Sequence, residues 1–392
     1  MKNIPAIACS LLFFILPITL RAEAFSVAAI DRDRILQAAS NALTLQPVTI
    51  TAYRAKYSEG GIHDFYSNGD YWWPNPKTTN GLPYVSLDGK SNPNNFNKHR
   101  ECLHQLHDAV AALGAAYKIT GDDRYAAKAA QLLRFFFLDP DTRMNPSLPY
   151  AQAVPGVSSG RSYGIIDTLH LIEVPRAIEV MEKSPAFPPD VTAGMKQWFA
   201  DYVQWLRTSP NGLLESNAEN NHAVAYWLQI AAFSQLTGDQ KQLADCRQHF
   251  KNVFVPNQMA TNGSFPRELA RTKPYGYSIF QMDNMATLCQ ILSTPQDNLW
   301  LFTLPDGRGI RKAVAFMYPY LADKNKWLAD GHPKDIQAWD GWPARQPALL
   351  FAGLALDNQQ YLDLWRTLDA DPSNDEVRRN IAIKQPILWV EN

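Results

Sequence analysis

The apolar run Tyr226-Trp227-Leu228-Gln229-Ile230-Ala231-Ala232-Phe233-Ser234-Gln235-Leu236 passes through Thr237-Gly238-Asp239 into a second apolar segment, Leu243 to Phe254. The apolar residues of both segments recur at helical spacing, and Gly followed by Asp is typical of one helix ending and the next beginning. This stretch therefore predicts a helical hairpin.

The same pattern occurs at two other places in the chain. One copy spans His107 to Phe137 around Thr120-Gly121-Asp122-Asp123, and a weaker copy spans Leu349 to Leu368 around Asp357-Asn358. Repeated hairpins bury their apolar faces by stacking side by side. We therefore predict an all-α fold, an (α/α) toroid or barrel of helical hairpins, with a helix over Ile30 to Leu43 as its lead-in.

Composition and charge narrow the class of protein. The chain has 392 residues, a formal net charge of -1 and 46% hydrophobic residues. It can bury a full core, and it lacks the excess of positive charge that nucleic-acid binding requires. No linker rich in Gly, Ser or Pro divides it, so we expect a single domain over residues 25–392, acting as a monomer without a nucleic-acid partner.

Residues 1–24 have the three parts of a secretory signal peptide. These are the basic start Met1-Lys2-Asn3, the apolar run Ile7 to Leu20 and the cleavage site Ala22-Glu23-Ala24. Cys9 precedes most of the apolar run, which does not fit a lipoprotein anchor, and no later segment is long and apolar enough to span a bilayer. We predict a bacterial protein that is periplasmic or secreted and has no membrane anchor.

Cysteines and histidines form no recognised metal-binding pattern. The cysteines after the leader are Cys102, Cys246 and Cys289. Three cysteines without CxxC spacing indicate neither a disulfide framework nor a zinc site, although the sequence allows one disulfide bridge among them. His104 and His107 are spaced for one helix face and lie near His99 and Asp108, but no HExxH pattern follows. We expect structural or cleft-lining histidines, and no metal or other cofactor.

Polar inserts separate the hairpins. The segment Tyr57 to Lys98 is rich in Gly, Pro, Asn and aromatic residues, with Tyr71-Trp72-Trp73-Pro74-Asn75-Pro76 at its centre, and loops of this length are more often functional than idle. The other inserts are Asp139 to Arg161, Ser209 to Asn221, Asn262 to Ser278 and Trp327 to Arg345. A toroid can gather such inserts at one end, where they would form a cleft suited to sugars.

The segment Glu215 to Trp227 joins small polar residues to the apolar start of a helix. Such residues cap helices, so we predict the Asn221 amide and the His222 imidazole at a helix N-terminus, where the helix dipole favours anions. The alternative is that Asn220 and Asn221 only cap the helix and that His222 is a hydrogen-bonded, partly buried side chain.

The insert Asn262 to Ser278 combines three cations with two phenols. Arg271 and Tyr277 are predicted to face one another across the bend at Pro274. A guanidinium binds a carboxylate through two hydrogen bonds, and positive charge beside a phenol favours the phenolate, so the pair can recognise an acidic substrate and supply a base. The alternative is a surface ion pair with Glu268 beside two packing tyrosines.

Several of these motifs resemble the alginate lyase superfamily of polysaccharide lyases, which includes families 5 and 38. The motifs are Asn220-Asn221-His222 with Tyr226-Trp227, Glu268-Leu269-Ala270-Arg271-Thr272 with Tyr277-Ser278, and three stretches closer to family 38, namely Tyr71 to Pro76, Gly81 to Tyr84 and Tyr150 to Gly156. The resemblance extends from about Tyr71 to Leu356. It implies an α/α toroid that cleaves a uronic-acid polysaccharide, such as alginate (mainly polymannuronate) or glucuronan, by β-elimination.

The resemblance also implies roles for individual residues. Asn221 and Arg271 would bind and neutralise the C6 carboxylate, His222 would assist at C5, and Tyr277 would be the catalytic phenol. In family 5 the corresponding Arg and Tyr stand one residue further apart, which leaves Tyr275 as a rival and favours family 38. The expected substrate contacts are Tyr71, Trp72, Trp73, Gln152, Arg161, Lys273, Tyr275 and Asn220; the three consecutive aromatics either stack on sugar rings or plug one end of the toroid.

The chemistry of such a lyase explains why these residue types are needed. Removing a proton next to a carboxylate places two negative charges on one group, so cations and amide donors around that group give the largest help. A base must take H5 and an acid must protonate O4. These atoms share one ring face in β-D-mannuronate and β-D-glucuronate, where one tyrosine can serve both. They lie on opposite faces in α-L-guluronate, where His222 and Tyr277 can divide the roles.

Two other functions fit the sequence. A glycoside hydrolase on an α/α barrel needs two carboxylates flanking the bond, and Glu215, Glu219, Asp283 and Asp340 are available. A non-catalytic periplasmic oligosaccharide-binding protein would use the Trp-rich loop and the arginines for capture alone. Only elimination creates a conjugated double bond that absorbs ultraviolet light, which separates the three.

Overall fold

Most of the chain is helical in the computed structural model, which describes residues 25–391. The α-helices are α1 Val27–Thr44, α2 Lys98–Thr120, α3 Asp123–Leu133, α4 Glu173–Met181, α5 Pro189–Thr208, α6 Pro210–Ser216, α7 Asn221–Thr237, α8 Gln240–His249, α9 Val255–Gln258, α10 Pro266–Leu269, α11 Pro274–Leu292, α12 Ile310–Ala322, α13 Asn325–Ala329, α14 Pro347–Ala355, α15 Gln359–Thr367 and α16 Asp375–Arg379. The signal-peptide prediction for residues 1–24 lies outside the described residues, and the single-domain boundary stays a prediction.

Shorter elements complete the chain. The 3₁₀ segments are Ile50–Ala52, Ser162–Ile172, Trp339–Gly341 and Pro386–Leu388, and the π-helical turns are Arg134–Leu138 and Phe250–Phe254. The strands are β1 Tyr66–Asn68, β2 Trp72–Trp73, β3 Val85–Ser86 and β4 Tyr150–Ala153. β1 pairs in parallel with β4, whereas β2 and β3 form an antiparallel pair with Trp72 opposite Ser86 and Trp73 opposite Val85.

The three predicted hairpins are confirmed as α2–α3, α7–α8 and α14–α15, and their turns explain why. Gly121 and Gly238 end the first helix of their hairpins in the left-handed conformation, with φ of 69° and 75°. Asp122 and Asp239 then cap the second helix by accepting a backbone N–H. In the weaker third copy, a non-glycine residue, Asp357, takes the left-handed position with φ of 51°.

The hairpins are arranged in two layers of a toroid. α2 packs on α4, α4 on α7, α7 on α11 and α11 on α14, while α3, α5, α8, α12 and α15 pack outside them. The inner helices α7 and α11 are buried on nearly all sides, whereas the outer helix α15 buries a single stripe. The prediction of an all-α toroid is therefore confirmed.

A buried ionic pair ties the C-terminal segment to this ring. Glu173, at the start of α4, accepts hydrogen bonds from His107 Nε2 at 2.8 Å and from the backbone N–H groups of Lys384 and Gln385 at 2.8 and 2.9 Å. Burial lowers the pKa of His107, but hydrogen bonds to Asp108 and Glu173 outweigh it and raise the pKa to about 9. This attachment places α16 beside the open end of the ring.

Cys102, Cys246 and Cys289 are all buried with free thiols, so the bridge left open by the sequence does not form among them. Between residues 25 and 391, no helix has both the length and the apolar character needed to cross a bilayer.

Gly114 marks a close approach of α2 to α4. A Cβ added there would lie 2.7 Å from the Ala177 Cβ and 3.0 Å from the Ala177 Cα. Because both helices would have to move apart, we expect Gly114→Ala to lower the free energy of unfolding by about 1–3 kcal/mol, despite alanine's higher helix propensity. Denaturant unfolding measures this loss.

Gly194, within α5, provides the matched control. A Cβ there would meet the Leu138 Cδ1 at 2.8 Å, at the flexible end of a side chain that can turn away. We expect Gly194→Ala to change the free energy of unfolding by less than about 1 kcal/mol. Equal losses at Gly114 and Gly194 would contradict the proposed close packing of α2 on α4.

Candidate active site

A cleft of about 540 Å³ opens where the first turns of α7 and α11 and the N-terminal half of α2 meet. The first N–H groups of α7 and α11 are already bonded to the buried carboxylates of Glu268 and Asp335. The positive groups in the lining are arginine side chains, Arg100, Arg161, Arg271 and Arg379. Predicted inserts supply half of the lining residues, including Tyr71, Trp72, Asp88, Gln152, Arg161, Asn220, Asn221, Arg271 and Tyr277. The insert Trp327 to Arg345 does not contribute to the lining.

Arg271 and Tyr277 face one another, as their spacing predicts. The Arg271 Nη2 lies 3.3 Å from the Tyr277 hydroxyl, and the guanidinium carbon lies 4.3 Å from the centre of the Tyr277 ring. Pro274 starts α11 between them, so the chain turns and the phenol points back toward the guanidinium. The alternative of a surface ion pair with Glu268 is wrong, because Glu268 is buried and bonds to Asn221.

The Tyr277 hydroxyl is also hydrogen-bonded to a second phenol. The hydroxyls of Tyr71 and Tyr277 are 2.7 Å apart, and the Tyr71 oxygen accepts hydrogen bonds from Lys273 Nζ at 3.0 Å and Arg379 Nη2 at 3.3 Å. Either hydroxyl can be the donor in this pair, and the Tyr277 oxygen also accepts from Arg271 Nη2. Once Tyr277 has lost its proton, only Tyr71 can donate, and both hydrogen bonds then stabilise the phenolate.

The protonation of Tyr277 reflects opposing effects. Burial raises its pKa well above 10 and Tyr71 adds to this, while Lys273 and Arg271 lower the pKa. In the free protein Tyr277 is therefore a neutral phenol. The two nearby cations, Lys273 and Arg271, offset part of the cost of removing its proton.

The Asn221 amide is oriented by a buried carboxylate. Glu268 accepts the backbone N–H of Asn221 at 2.8 Å and its side-chain Nδ2 at 2.7 Å. Burial raises the pKa of Glu268, and these two hydrogen bonds act against that rise. An amide NH₂ carries two protons, so the second one is available to a ligand in the cleft. Asn220 caps α7 by accepting the His222 N–H, as predicted.

His222 is paired with Glu215. The imidazole Nδ1 lies 2.5 Å from the Glu215 Oε1, and the Glu215 side chain is buried. A carboxylate accepts, so this contact assigns a proton to Nδ1 and leaves Nε2 as the nitrogen that can exchange a proton with a ligand. His222 lines the cleft, whereas Glu215 stands behind it.

Five of the residues predicted as substrate contacts line the cleft: Tyr71, Trp72, Gln152, Arg161 and Asn220. The Arg161 guanidinium lies 5.4 Å from the Trp72 ring centre and 5.2 Å from that of Tyr163, and its Nε donates to the Gln152 carbonyl. Cation–π contacts of this kind hold a planar cation and an aromatic surface in one fixed arrangement. These groups form one wall of the cleft.

Three other predicted contacts are not brought to the cleft. The Trp73 indole N–H donates to the Lys90 carbonyl, because consecutive strand residues point to opposite faces. Lys273 is 3% exposed, and its ammonium contacts Tyr71 and Glu376 instead of open space.

Tyr275 is fully buried, and its hydroxyl donates to the Tyr320 carbonyl. It points away from Tyr277 because residues two apart on a helix point in different directions. The Tyr275 hydroxyl therefore lies outside the cleft, where the catalytic phenol would be needed.

A network of charged residues that the sequence did not single out forms the rest of the cleft. Arg100 donates to Asp70 at 2.6 Å and to Asp167 at 2.9 Å, and Arg379 contacts Asp70. Asp88 accepts from Arg271 at 3.0 Å. In the sequence, only their position pointed to a place in the cleft, since Asp70 and Asp88 lie in the insert Tyr57 to Lys98.

The histidines occupy two kinds of site. His104 lines the cleft with its ring 4.4 Å from that of His170, and burial lowers the pKa of His104 to about 4. His99 and His107 are buried and hydrogen-bonded. Across residues 25–391, no three His, Cys, Asp or Glu side chains are grouped as a metal site would require.

None of the carboxylates considered for a hydrolase, Glu215, Glu219, Asp283 and Asp340, lines the cleft. The carboxylates that do line it, Asp70, Asp88 and Asp167, are each paired with an arginine. Glu215 is engaged by His222, and Glu219 is exposed and paired with Arg267. Burial raises the pKa of Asp283 well above its usual range in the core of the ring.

Comparisons with known proteins identify the family and agree with the fold. The family model described as alginate lyase matches residues 49–327. An alginate lyase from Bacteroides ovatus is similar, with 35% identity over 91% of this chain and 93% of that chain and a TM-score of 0.79. A histidine-to-alanine and a tyrosine-to-phenylalanine variant of alginate lyase A1-III, each complexed with tetrasaccharide, are 14% identical over 91% of this chain and 94% of theirs, with TM-scores of 0.56 and 0.54. At this identity they show the fold alone. Among curated proteins there is no significant match.

Proposed function

Because this chain belongs to the alginate lyase family, and is therefore a polysaccharide lyase, we propose that it cleaves a uronic-acid polymer by β-elimination. The proposed substrates are alginate, mainly its polymannuronate, and glucuronan, and the products carry a 4,5-unsaturated uronate at the new end. The observation that carries the proposal is the contact of Arg271 with Tyr277 in a cleft that Asn221 also lines. A cation, an amide and a phenol thus meet where one sugar ring can bind.

The first task of the site is to neutralise the C6 carboxylate. The Arg271 guanidinium already holds a carboxylate, that of Asp88, at 3.0 Å, so its geometry suits such a group. Asn221 supplies its second amide proton. These groups stabilise the two negative charges that develop on the carboxylate when H5 leaves.

The second task is to transfer two protons. Tyr277 is neutral in the free protein, so it first gives its proton to solvent. In β-D-mannuronate or β-D-glucuronate, the resulting phenolate takes H5, and the electrons of the C5–H bond form the C4–C5 double bond as the C4–O4 bond breaks. The same phenol then donates its proton to O4, which restores the phenolate. Hydrogen bonds from Tyr71 and Arg271 stabilise that oxygen while it is unprotonated. In α-L-guluronate, His222 Nε2 takes H5 on one face and Tyr277 protonates O4 on the other.

Neighbouring sugars would lie along the wall formed by Trp72, Arg161 and Gln152. An aromatic face packs against the C–H bonds of a sugar ring, and Arg161 and Gln152 offer hydrogen bonds to hydroxyl and carboxylate groups. The supporting observation is that all three line the same cleft as Tyr277.

A panel of polymers tests the proposal. Purified protein is incubated with mannuronan, guluronan, glucuronan and a hyaluronan-like polymer, and ultraviolet absorbance is followed together with reducing ends. We expect absorbance to rise in step with reducing ends on mannuronan or glucuronan, because each elimination creates one double bond and one new end. Reducing ends without absorbance would indicate hydrolysis, and no change in either on any polymer would contradict catalysis.

We also propose that the mature protein acts as a monomer in the periplasm or outside the cell. The support is the signal-peptide pattern of residues 1–24, with its cleavage site at Ala22-Glu23-Ala24. Mass spectrometry of the exported protein should give an N-terminus near Phe25, and light scattering should give the mass of one chain.

A further inference from the structure

The contact between Glu215 and His222 provides the cleft with an acid–base group separate from Tyr277. We propose that Glu215 is a positioning residue that enables His222 to act as the base toward α-L-guluronate, and so sets the ratio of guluronate to mannuronate cleavage. This inference rests on the proposed β-elimination.

Glu215 is held by the backbone around it. It lies near the end of α6, which Ser209 caps through the Gly212 N–H, and the Trp227 indole N–H donates to the carbonyl of Ser216. A Cβ on Gly212 would lie 1.8 Å from the Leu206 carbonyl oxygen, so α6 is fitted tightly against the end of α5. The carboxylate is therefore in place before substrate arrives, as an effective positioning group must be.

The contact decides which nitrogen of His222 can react. Glu215 is 1% exposed, and its Oε1 lies 2.5 Å from the Nδ1, so the ring proton is held on Nδ1. In a neutral imidazole, Nε2 is then the nitrogen that carries the lone pair. The Tyr163 ring packs edge-on against the imidazole at 5.0 Å and limits its rotation. When Nε2 takes a proton the ring becomes a cation, and the adjacent buried carboxylate stabilises that charge.

The stereochemistry of the substrate makes this group selective. Tyr277 can both remove H5 and protonate O4 in mannuronate, because the two atoms share a ring face. Guluronate requires a base on the opposite face. The negative charge of Glu215 is therefore needed for guluronate cleavage, whereas Glu268, which orients Asn221 toward the carboxylate common to both sugars, is needed for both.

Glu215→Gln tests the proposal. Glutamine has the same length and its amide oxygen can still accept the Nδ1–H, but it carries no charge. We expect kcat on polyguluronate to fall by about 100-fold, while its KM and the kcat on polymannuronate change by less than about threefold. Retained mannuronan cleavage also shows that the variant is folded.

Glu268→Gln is the matched control, since it replaces the other buried carboxylate that holds a cleft residue. We expect it to lower kcat on both polymers by similar factors, because it disturbs Asn221. In a His222→Ala background, Glu215→Gln should cause no further loss on guluronan, since the two residues act as one unit. Nitrogen-15 spectra of labelled histidines should show Nδ1 protonated in the wild type.

Several results would overturn the role of Glu215. These are an equal loss on both polymers in Glu215→Gln, unchanged guluronan cleavage in that variant, or a wild-type protein that cleaves mannuronan and not guluronan. Failure of the underlying proposal looks different, because the wild type would then form no unsaturated product from any polymer.

Discussion

Tyr277→Phe is expected to lower kcat on uronate polymers by about 10³-fold or more, while the affinity for the polymer stays within about threefold of the wild type. The substitution removes only the oxygen that takes and returns protons in the proposed reaction. The ring and its contact with the Arg271 guanidinium at 4.3 Å are kept. Initial rates from ultraviolet absorbance give kcat, and calorimetric titration with an oligosaccharide gives the affinity.

Tyr275→Phe is the control for this substitution. It removes a hydroxyl two residues away on the same helix, but that hydroxyl donates to the Tyr320 carbonyl in the core. We expect a loss of about 1 kcal/mol in the free energy of unfolding and an unchanged kcat. If Tyr277→Phe kept its activity and Tyr275→Phe lost it, the catalytic phenol would be Tyr275, and the orientation of α11 described above would be wrong.

Arg271→Ala is expected to lower kcat/KM by about 10³-fold, mostly through kcat. The guanidinium is the cation in contact with both the catalytic phenol and the proposed carboxylate position, so its removal leaves the developing charge without its main partner. Arg271→Lys should fall between the alanine variant and the wild type, because lysine keeps the charge but lacks the planar two-pronged donor. Steady-state kinetics on mannuronan separate kcat from KM.

Arg267→Ala, four residues earlier, is the comparison. Its side chain is 58% exposed and contacts only the exposed Glu219 among the described ion pairs, so we expect kcat/KM to change by less than about twofold. Similar losses of kcat/KM in the Arg267 and Arg271 variants would mean that catalysis depends on the overall positive charge of the surface and not on the position of the Arg271 guanidinium. A change confined to KM in Arg271→Ala would limit Arg271 to substrate binding.

The sequence was informative about the candidate site wherever the geometry is local. Asn220 caps α7 and Asn221 begins it because short polar side chains before an apolar run start a helix. Arg271 and Tyr277 meet because six residues containing Pro274 turn the chain into α11. The contact of Arg379 with Tyr71, the hydrogen-bond partner of Tyr277, was not predicted. The two residues are separated by 308 positions and meet only when the C-terminal segment packs on the ring.

By itself, the sequence determined the three helical hairpins, their turns and the residues at the N-termini of α7 and α11. Helix periodicity and capping act over a few neighbouring residues, so they can be read from the sequence. Only the tertiary structure decided that Glu268 holds Asn221, that the hydroxyls of Tyr71 and Tyr277 are hydrogen-bonded, and that Lys273 and Tyr275 turn inward. Those outcomes depend on how the hairpins rotate and close into a ring, and a difference of one residue along a helix turns a side chain by about 100°.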